Sequence, residues 1–365
     1  MTPRSLTFVT ALVVAAGFTG LAQQPAPPQP PMGPPIDATR ATPLDVARVL
    51  AARYPESPIM SYIPGVAWSA SFRLAQLTGE DKWKEKPRRD LQPFVASEKP
   101  SIATPYQLTS LAGHLALSDL GALDNNAAAA ALAAKAAAFI VADTPEEIVK
   151  FRRNWTDDMF MASTLLSRVA GRDQANAQRY AATLGRLLTS YAESLQRTDG
   201  IFIHAKEGPH AWGRGNGFAL MGLTEALTYL PAAWPDRARV LDIYRKHAAA
   251  LTKLQSDDGS WRQVVDEPSS YRELTVTAMT VAAMARGVRL GWLDASARPV
   301  IQRGWRAVVS RVNQDGTVRD VCSGTGAGPT KEYYLNRPVV NGADDRGGAM
   351  ALLAAIEVEE LARRK

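Results

Sequence analysis

Gln196-Arg197-Thr198-Asp199-Gly200-Ile201-Phe202, Gln255-Ser256-Asp257-Asp258-Gly259-Ser260-Trp261 and Asn313-Gln314-Asp315-Gly316-Thr317-Val318 are three copies of one punctuation mark. Each closes a long helical stretch with a turn and then re-enters apolar sequence. The three glycines recur at intervals of 59 and 57 residues, and each interval has room for two helices. The repeating unit is therefore a helical hairpin.

Outward from these turns, alanine-rich segments of helical period run along the whole chain. They are Pro43 to Ala52, Gly65 to Leu77, Tyr106 to Leu120, Asn126 to Ile140, Asp157 to Val169 and Gln174 to Leu195, then Gly217 to Leu230, Arg237 to Leu254, Thr275 to Gly287, Ala295 to Val312 and Gly347 to Ala362. Few β-branched alternating runs interrupt them, so the class is all-α. One hairpin cannot bury its inner face alone, so the units must stack. About six account for the length and, closed on themselves, give an (α/α)6 barrel. An open solenoid is the competing arrangement. In the closed form, long polar loops at one rim are where a site would be built.

The N-terminus reads differently. Met1 to Ala22 carries one basic residue, Arg4, then an apolar run ending in small residues, as secretory leaders do. Proline and glutamine dominate Gln23 to Pro35, which favours an extended, solvated linker. The divisions expected are a signal peptide over 1–22, a proline-rich linker over 23–38 and a catalytic barrel over 39–365. The protein is then exported, periplasmic or secreted, without stable membrane association. The single cysteine, Cys322, excludes a disulfide framework. A net charge of +6 is spread along the chain, so it helps with an anionic substrate and gives no reason to expect nucleic acid.

Two stretches concentrate chemistry. Gly200 to His204, followed by Ala211-Trp212-Gly213-Arg214-Gly215-Asn216-Gly217-Phe218, gathers an imidazole, an indole, a guanidinium and a carboxamide. Glycines around Arg214 let backbone and ligand approach closely. An arginine held there offers a fork of donors for a carboxylate, and tryptophan a flat face for a sugar ring. The same residues would also serve a plain crossing between helices, with Trp212 in the core and Arg214 paired to a helix end. In Asn154-Trp155-Thr156-Asp157-Asp158-Met159-Phe160-Met161, two acids open a helix. Thr156 or Asp157 can be its N-cap. Alternatively, Asp157 points inward as a general acid among Trp155 and Phe160, where it would resist ionisation, while Asp158 faces solvent.

Other clusters carry less. Tyr271-Arg272-Glu273 and Gly324-Thr325-Gly326-Ala327-Gly328, with Tyr333 and Tyr334, read equally as caps and loops or as ligand contacts. The glycine run lacks the lysine and preceding strand of a phosphate loop. His114, His210 and His247 have no metal-ligand spacing, so neither metal nor cofactor is expected.

Taken in order, Trp155 to Met161, Gly200 to His204, Trp212 to Gly217, Gln255 to Trp261 with Tyr271 to Glu273, Gly324 to Gly326 and Asp345-Arg346-Gly347-Gly348-Ala349 resemble the motifs of the unsaturated rhamnogalacturonyl hydrolases, relatives of the unsaturated glucuronyl hydrolases. The resemblance runs from about Tyr62 to the C-terminus. It implies an (α/α)6 barrel and a metal-free reaction. In that reaction an aspartate protonates C4 of a 4,5-unsaturated uronic acid, water adds at C5, and the hemiketal opens to release the aglycone.

Carried over by motif, the resemblance makes Asp157 the general acid and base. It makes His204, Trp212, Arg214, Asn216 and Phe218 substrate contacts, with Trp155 and Tyr106 beside them. Two positions depart from the pattern. Relatives carry a second aspartate in a Tyr-x-Leu-Asp motif where this chain reads Tyr106-Gln107-Leu108-Thr109, and Phe218 stands where tryptophan is common. Without the second acid, three readings stay open: a different linkage or uronic acid, an acid supplied by Asp158, or a protein that binds sugar without turning it over. A glycosidase on saturated uronides is the alternative within the enzyme class.

Overall fold

Burial sorts the helices into two kinds. The computed structural model describes residues 32–144 and 146–364. In chain order, α1 (Pro43–Arg53) is followed by α2 (Tyr62–Thr78), α3 (Lys82–Val95), α4 (Leu108–Ala112), α5 (Leu115–Leu123), α6 (Ala127–Ile140) and α7 (Asp157–Ala170). Then come α8 (Ala177–Leu195), α9 (Gly213–Tyr229), α10 (Arg237–Lys253), α11 (Leu274–Arg289), α12 (Arg298–Val309), a short α13 (Lys331–Leu335) and α14 (Asp345–Arg363). α11 buries 14 of its 16 residues, whereas α10 buries 6 of 17. The first is walled in on all sides and the second is an amphipathic outer helix.

The same contrast recurs around the molecule, giving an inner ring of α2, α5, α7, α9, α11 and α14. Each packs on the next, and α14 packs on α2, so the ring closes. The (α/α)6 barrel is the observed fold, and the open solenoid is excluded.

The three punctuation turns explain how the hairpins dock. Gly200, Gly259 and Gly316 all adopt left-handed backbone, with φ of 95°, 89° and 79°. In each turn the preceding aspartate accepts from the second residue on: Asp199 from Ile201, Asp258 from Ser260 and Asp315 from Thr317, each at 3.0 Å. A Cβ on Gly200 or Gly259 would run into the backbone of α10 at Lys246 or of α12 at Arg303. One on Gly316 would meet Arg53 of α1, whose C-capping Tyr54 donates to the Gly316 carbonyl at 2.9 Å. The third turn therefore seats on the first helix as the others seat on theirs, and the repeat closes the circle.

A second closing device lies deep in the barrel, where every inner helix contributes one charged residue of alternating sign. Arg73 of α2, Asp119 of α5, Arg168 of α7, Glu225 of α9, Arg286 of α11 and Glu357 of α14 form a ring of ion pairs. Its remaining junction is a hydrogen bond from Ser69 of α2 to Asp119. Above it, Tyr62, Phe160 and Phe218 fill the axis, their ring centroids 5.5 to 6.4 Å apart.

The long connections 141–156, 196–212, 254–273 and 310–344 each precede an inner helix, and 96–107 leads through the short α4 into α5, so all share one rim. Two of them carry small antiparallel pairs, β1 (Trp261–Arg262) with β2 (Arg272–Glu273) and β3 (Val318–Cys322) with β4 (Val339–Gly342). That rim holds the candidate site.

Sequence reading missed α3 because Pro87 and Pro93 lie inside it, and proline ordinarily ends a helix. It also ran α4 and α5 together. The backbone breaks at Gly113, which packs so tightly on Ser61 that a Cβ there would lie 2.6 Å from its nitrogen. The leader expected over 1–22 lies outside the described residues. Of the linker expected over 23–38, the part from Met32 is described, and there Ile36 donates to the Val312 carbonyl and Gln314 to that of Pro34. Backbone hydrogen bonds thus tie those residues to the barrel. Among the described residues, no helix is long and apolar enough to cross a membrane.

Candidate active site

Asp157 is the first residue of α7. Thr156 holds the N-cap position, but its backbone is already helical and its hydroxyl caps nothing. Its N–H donates instead to the His204 carbonyl at 3.0 Å, which sews the 200–204 segment to the start of α7. The His204 ring is thereby set with Nε2 at 3.2 Å from Asp157 Oδ2 and Nδ1 at 2.9 Å from the Tyr334 hydroxyl. With the Tyr334 hydroxyl donating to Nδ1, the ring's proton is on Nε2, facing Asp157. Burial pushes that phenol up to about 12, which keeps it a donor at ordinary pH. Trp155 and Trp212 flank the imidazole, with ring centroids at 5.0 and 4.6 Å.

The Asp157 side chain is 21 % exposed and lines a cleft of about 150 Å³ with Tyr106, Thr109, Phe151, Arg152, Arg153 and Trp155. Thr109, the residue in place of the expected second acid, thus shares this cleft. The acids in its lining are Asp157 and Asp158.

Asp158 corrects one expectation. It does not face solvent: it is 3 % exposed. Its Oδ2 accepts from the Tyr191 hydroxyl of α8 at 2.7 Å and from the N–H groups of Arg153 and Trp155 at 2.9 and 3.3 Å. A side chain in the first turn of a helix can fold back over the loop before it, so the rule that neighbours take opposite faces fails there. Burial, with a smaller contribution from the charge of Asp157, pushes the Asp158 carboxyl up to about 6. The carboxyl that resists ionisation is this one, at the buried end of the cleft lining.

The glycine-rich start of α9 also differs from expectation. A Cβ on Gly213 would lie 2.5 Å from the Arg262 carbonyl oxygen, and one on Gly215 would lie 2.7 Å from Thr156 Oγ1. These glycines admit neighbouring protein, and ligand approach is not their use. Asn216 is fully buried, accepting from Phe202 N at 3.0 Å and donating to the carbonyls of Phe202 and Trp212. Phe218 is buried against Tyr62 and Phe160. Both therefore sit behind the cleft, where they position other groups. Trp212 is also buried, its indole N–H donating to Gln263 at 3.2 Å, so it backs His204.

Arg214 is 3 % exposed. One of its amino groups donates to the Cys322 carbonyl at 2.9 Å, and the other faces Gly324, beside which Arg346 also lies. Arg346 is tied to Asp344 and to the Ser323 carbonyl. The Tyr271-Arg272-Glu273 cluster resolves as structure: Glu273 caps α11 through Val276 N at 2.7 Å and accepts from Cys322 N at 3.0 Å. No three His, Cys, Asp or Glu side chains among the described residues are grouped to hold a metal ion.

The model of Glycosyl Hydrolase Family 88 matches residues 38–362. The chain belongs to that family. An unsaturated 3S-rhamnoglycuronyl hydrolase of an Alteromonas species is 34% identical over 128 residues, 34% of this chain and 31% of that protein. An unsaturated rhamnogalacturonyl hydrolase of Bacillus subtilis is 27% identical over 192 residues, 50% of this chain and 54% of that one. The aligned stretches thus span about a third and about half of those relatives.

A solved structure described as a possible GH105 member from Salmonella enterica matches with a TM-score of 0.76 at 19% identity, covering 90% of this chain and 96% of that one. The unsaturated glucuronyl hydrolase of Bacillus sp. GL1 matches at 0.60 and 14% identity, covering 87% and 95%. At such identities the likeness shows the fold.

In this Family 88 chain the sequence reading missed several residues of the site. Tyr62 was one: loss of solvent around its half-buried phenol pushes it up to about 12, and the charges of Arg214, Asp157, Arg346 and Asp344 all act on it. Arg152 and Arg153 were others, and so was the role of Tyr334 in fixing His204. Only Tyr334 had a signal, as part of an aromatic pair after a glycine-rich loop.

Proposed function

We propose that this chain removes a 4,5-unsaturated uronic acid from the non-reducing end of an oligosaccharide by hydrating its double bond, with Asp157 as acid and base. The observation that carries this reading is a cleft with one available carboxylate. Ordinary glycosidases flank the scissile bond with two carboxylates roughly 5 to 10 Å apart. Here the other acid in the lining among the described residues, Asp158, is committed to three donors, and Thr109 stands where a second acid was expected. The Alteromonas and Bacillus relatives, hydrolases of unsaturated uronides, support the same reading.

In the proposed reaction the Asp157 carboxyl gives its proton to C4 while water adds at C5 and returns a proton to the carboxylate. The hemiketal at C5 opens to a ketone, leaving a hemiacetal at C1 that expels the aglycone with its hydroxyl. One acid therefore serves twice. His204 holds Asp157 through its Nε2–H and is itself fixed by Tyr334. The second amino group of Arg214 receives the uronate carboxylate and orients the ring, while the positive charge that protonation of C4 leaves on C5 and the ring oxygen is met by the Asp157 carboxylate, which also takes the proton of the incoming water. Trp155 offers its face to the ring.

A matched pair of disaccharides tests this, one ending in an unsaturated uronic acid and the other in its saturated counterpart. Consumption of the first alone is the expected outcome. Cleavage of the saturated substrate at a comparable rate would establish an ordinary glycosidase and overturn the proposal.

A further inference from the structure

We infer that Arg152 and Arg153 form a second anion-binding position beside Asp157, and that it takes a carboxylate or sulfate ester on the sugar that follows the unsaturated uronic acid. This rests on the proposed hydration of an unsaturated uronide and names the class of aglycone.

Both arginines line the cleft that Asp157 opens onto. Arg152 donates to the Glu146 carbonyl at 3.1 Å, and the Arg153 guanidinium lies 5.1 Å from the centre of the Trp155 ring. Arg346, on the same rim, is neutralised by Asp344. By contrast, neither Arg152 nor Arg153 has a carboxylate within salt-bridge distance among the described residues. The cleft's own acids, Asp157 and Asp158, therefore leave both guanidinium groups with donors for an incoming anion.

The loop that displays them is held in an uncommon shape. Ile148, Phe151 and Asn154 have φ of 63°, 64° and 60°, a region that branched and bulky side chains rarely enter. Asp158 fixes it by accepting from Arg153 N and Trp155 N, and Lys150 N donates to the Ile140 carbonyl at 2.7 Å. The guanidinium groups are therefore presented from a backbone set before any ligand arrives.

Beside them Phe151 packs with Phe139 and Tyr106, ring centroids 5.1 to 5.7 Å apart, and Tyr106 remains 46 % exposed. An apolar sugar face on Tyr106 would carry its anionic substituent to the arginines. Arg214 is not among the residues that line this cleft, so the two anions have separate receptors.

The test uses unsaturated uronyl disaccharides whose second sugar is neutral, carboxylated or sulfated. Wild type is expected to prefer an anionic aglycone by roughly tenfold or more in kcat/KM. In Arg152→Ala/Arg153→Ala that preference should fall about tenfold, mainly through KM, and Arg152→Lys/Arg153→Lys should keep most of it. The carboxylate and sulfate arms identify which anion is read. No preference in wild type, or a preference unchanged in the alanine variant, overturns the inference. The same ligands are titrated calorimetrically into Asp157→Asn with and without the two alanines. If wild type consumes no disaccharide but binding still favours the anionic ligand through the arginines, the hydration reading falls and this one stands. Equal binding of neutral and anionic ligands sinks it.

Discussion

His204 stands 3.2 Å from Asp157 although 47 positions separate them in the chain, and the Tyr334 hydroxyl holds the far side of its ring at 2.9 Å. His204→Gln is expected to lower kcat by roughly ten- to a hundredfold with little change in KM, since it disturbs the acid and not the sugar contacts. Tyr334→Phe should give a smaller loss in the same parameter. Steady-state kinetics checks both, and an effect confined to KM would place His204 in substrate binding instead.

Asp158 makes stability depend on pH. Its carboxyl is raised from 3.8 to about 6 in the folded protein, so its contribution is fully present below the unfolded carboxylate range and is lost as pH rises through about 6. Two pH units correspond to ~3 kcal/mol. The stability of wild type relative to Asp158→Asn should therefore fall by about 2.4 kcal/mol of this between pH 4 and 7 in denaturant melts. A difference that stays flat across this range would contradict the assignment.

The ionic ring predicts an asymmetry. Glu225 is paired with Arg168 on one side and Arg286 on the other, all three buried, and the two guanidinium groups hold its carboxyl below its ordinary range. Glu225→Leu strands two buried cations and should cost ~3–5 kcal/mol in urea unfolding. Glu225→Leu combined with Arg168→Met should cost less than the sum of the single changes. Simple additivity would mean that the ring is not coupled.

Gly215→Ala separates function from stability. The new methyl would lie 2.7 Å from Thr156 Oγ1 and 3.6 Å from His204 Cδ2, pressing on the residues that flank Asp157. Alanine favours a helix over glycine by about 1 kcal/mol, which offsets the crowding. The melting temperature should therefore change little while kcat falls by roughly tenfold or more. Unchanged kcat would show that the site tolerates this displacement.

The barrel was legible because its signal is local. The Asp-Gly turns at Asp199, Asp258 and Asp315 are made by side chains one or two residues from what they bond, and their spacing alone counts hairpins. Asp157 and His204 were legible through the order of motifs. What sequence could not give was direction. Whether Asp158 turns out to solvent or folds back on Trp155 N depends on left-handed backbone at Phe151 and Asn154, which no residue type there demands. Asn216 and Phe218 looked like ligand contacts because polar and aromatic residues near a glycine run read the same whether they face a cleft or a neighbouring helix. The ring of charges left a trace, Arg168, Glu225 and Arg286 inside apolar helices, but only closure of the barrel brings the three together.

The central claim is that Asp157 hydrates the double bond. The most direct test follows the ultraviolet absorbance of that bond in unsaturated disaccharides with wild type and Asp157→Asn side by side. Loss of absorbance with wild type, reduced by at least about a thousandfold in the variant, is the expected result. Absorbance that falls equally with both proteins would contradict the account.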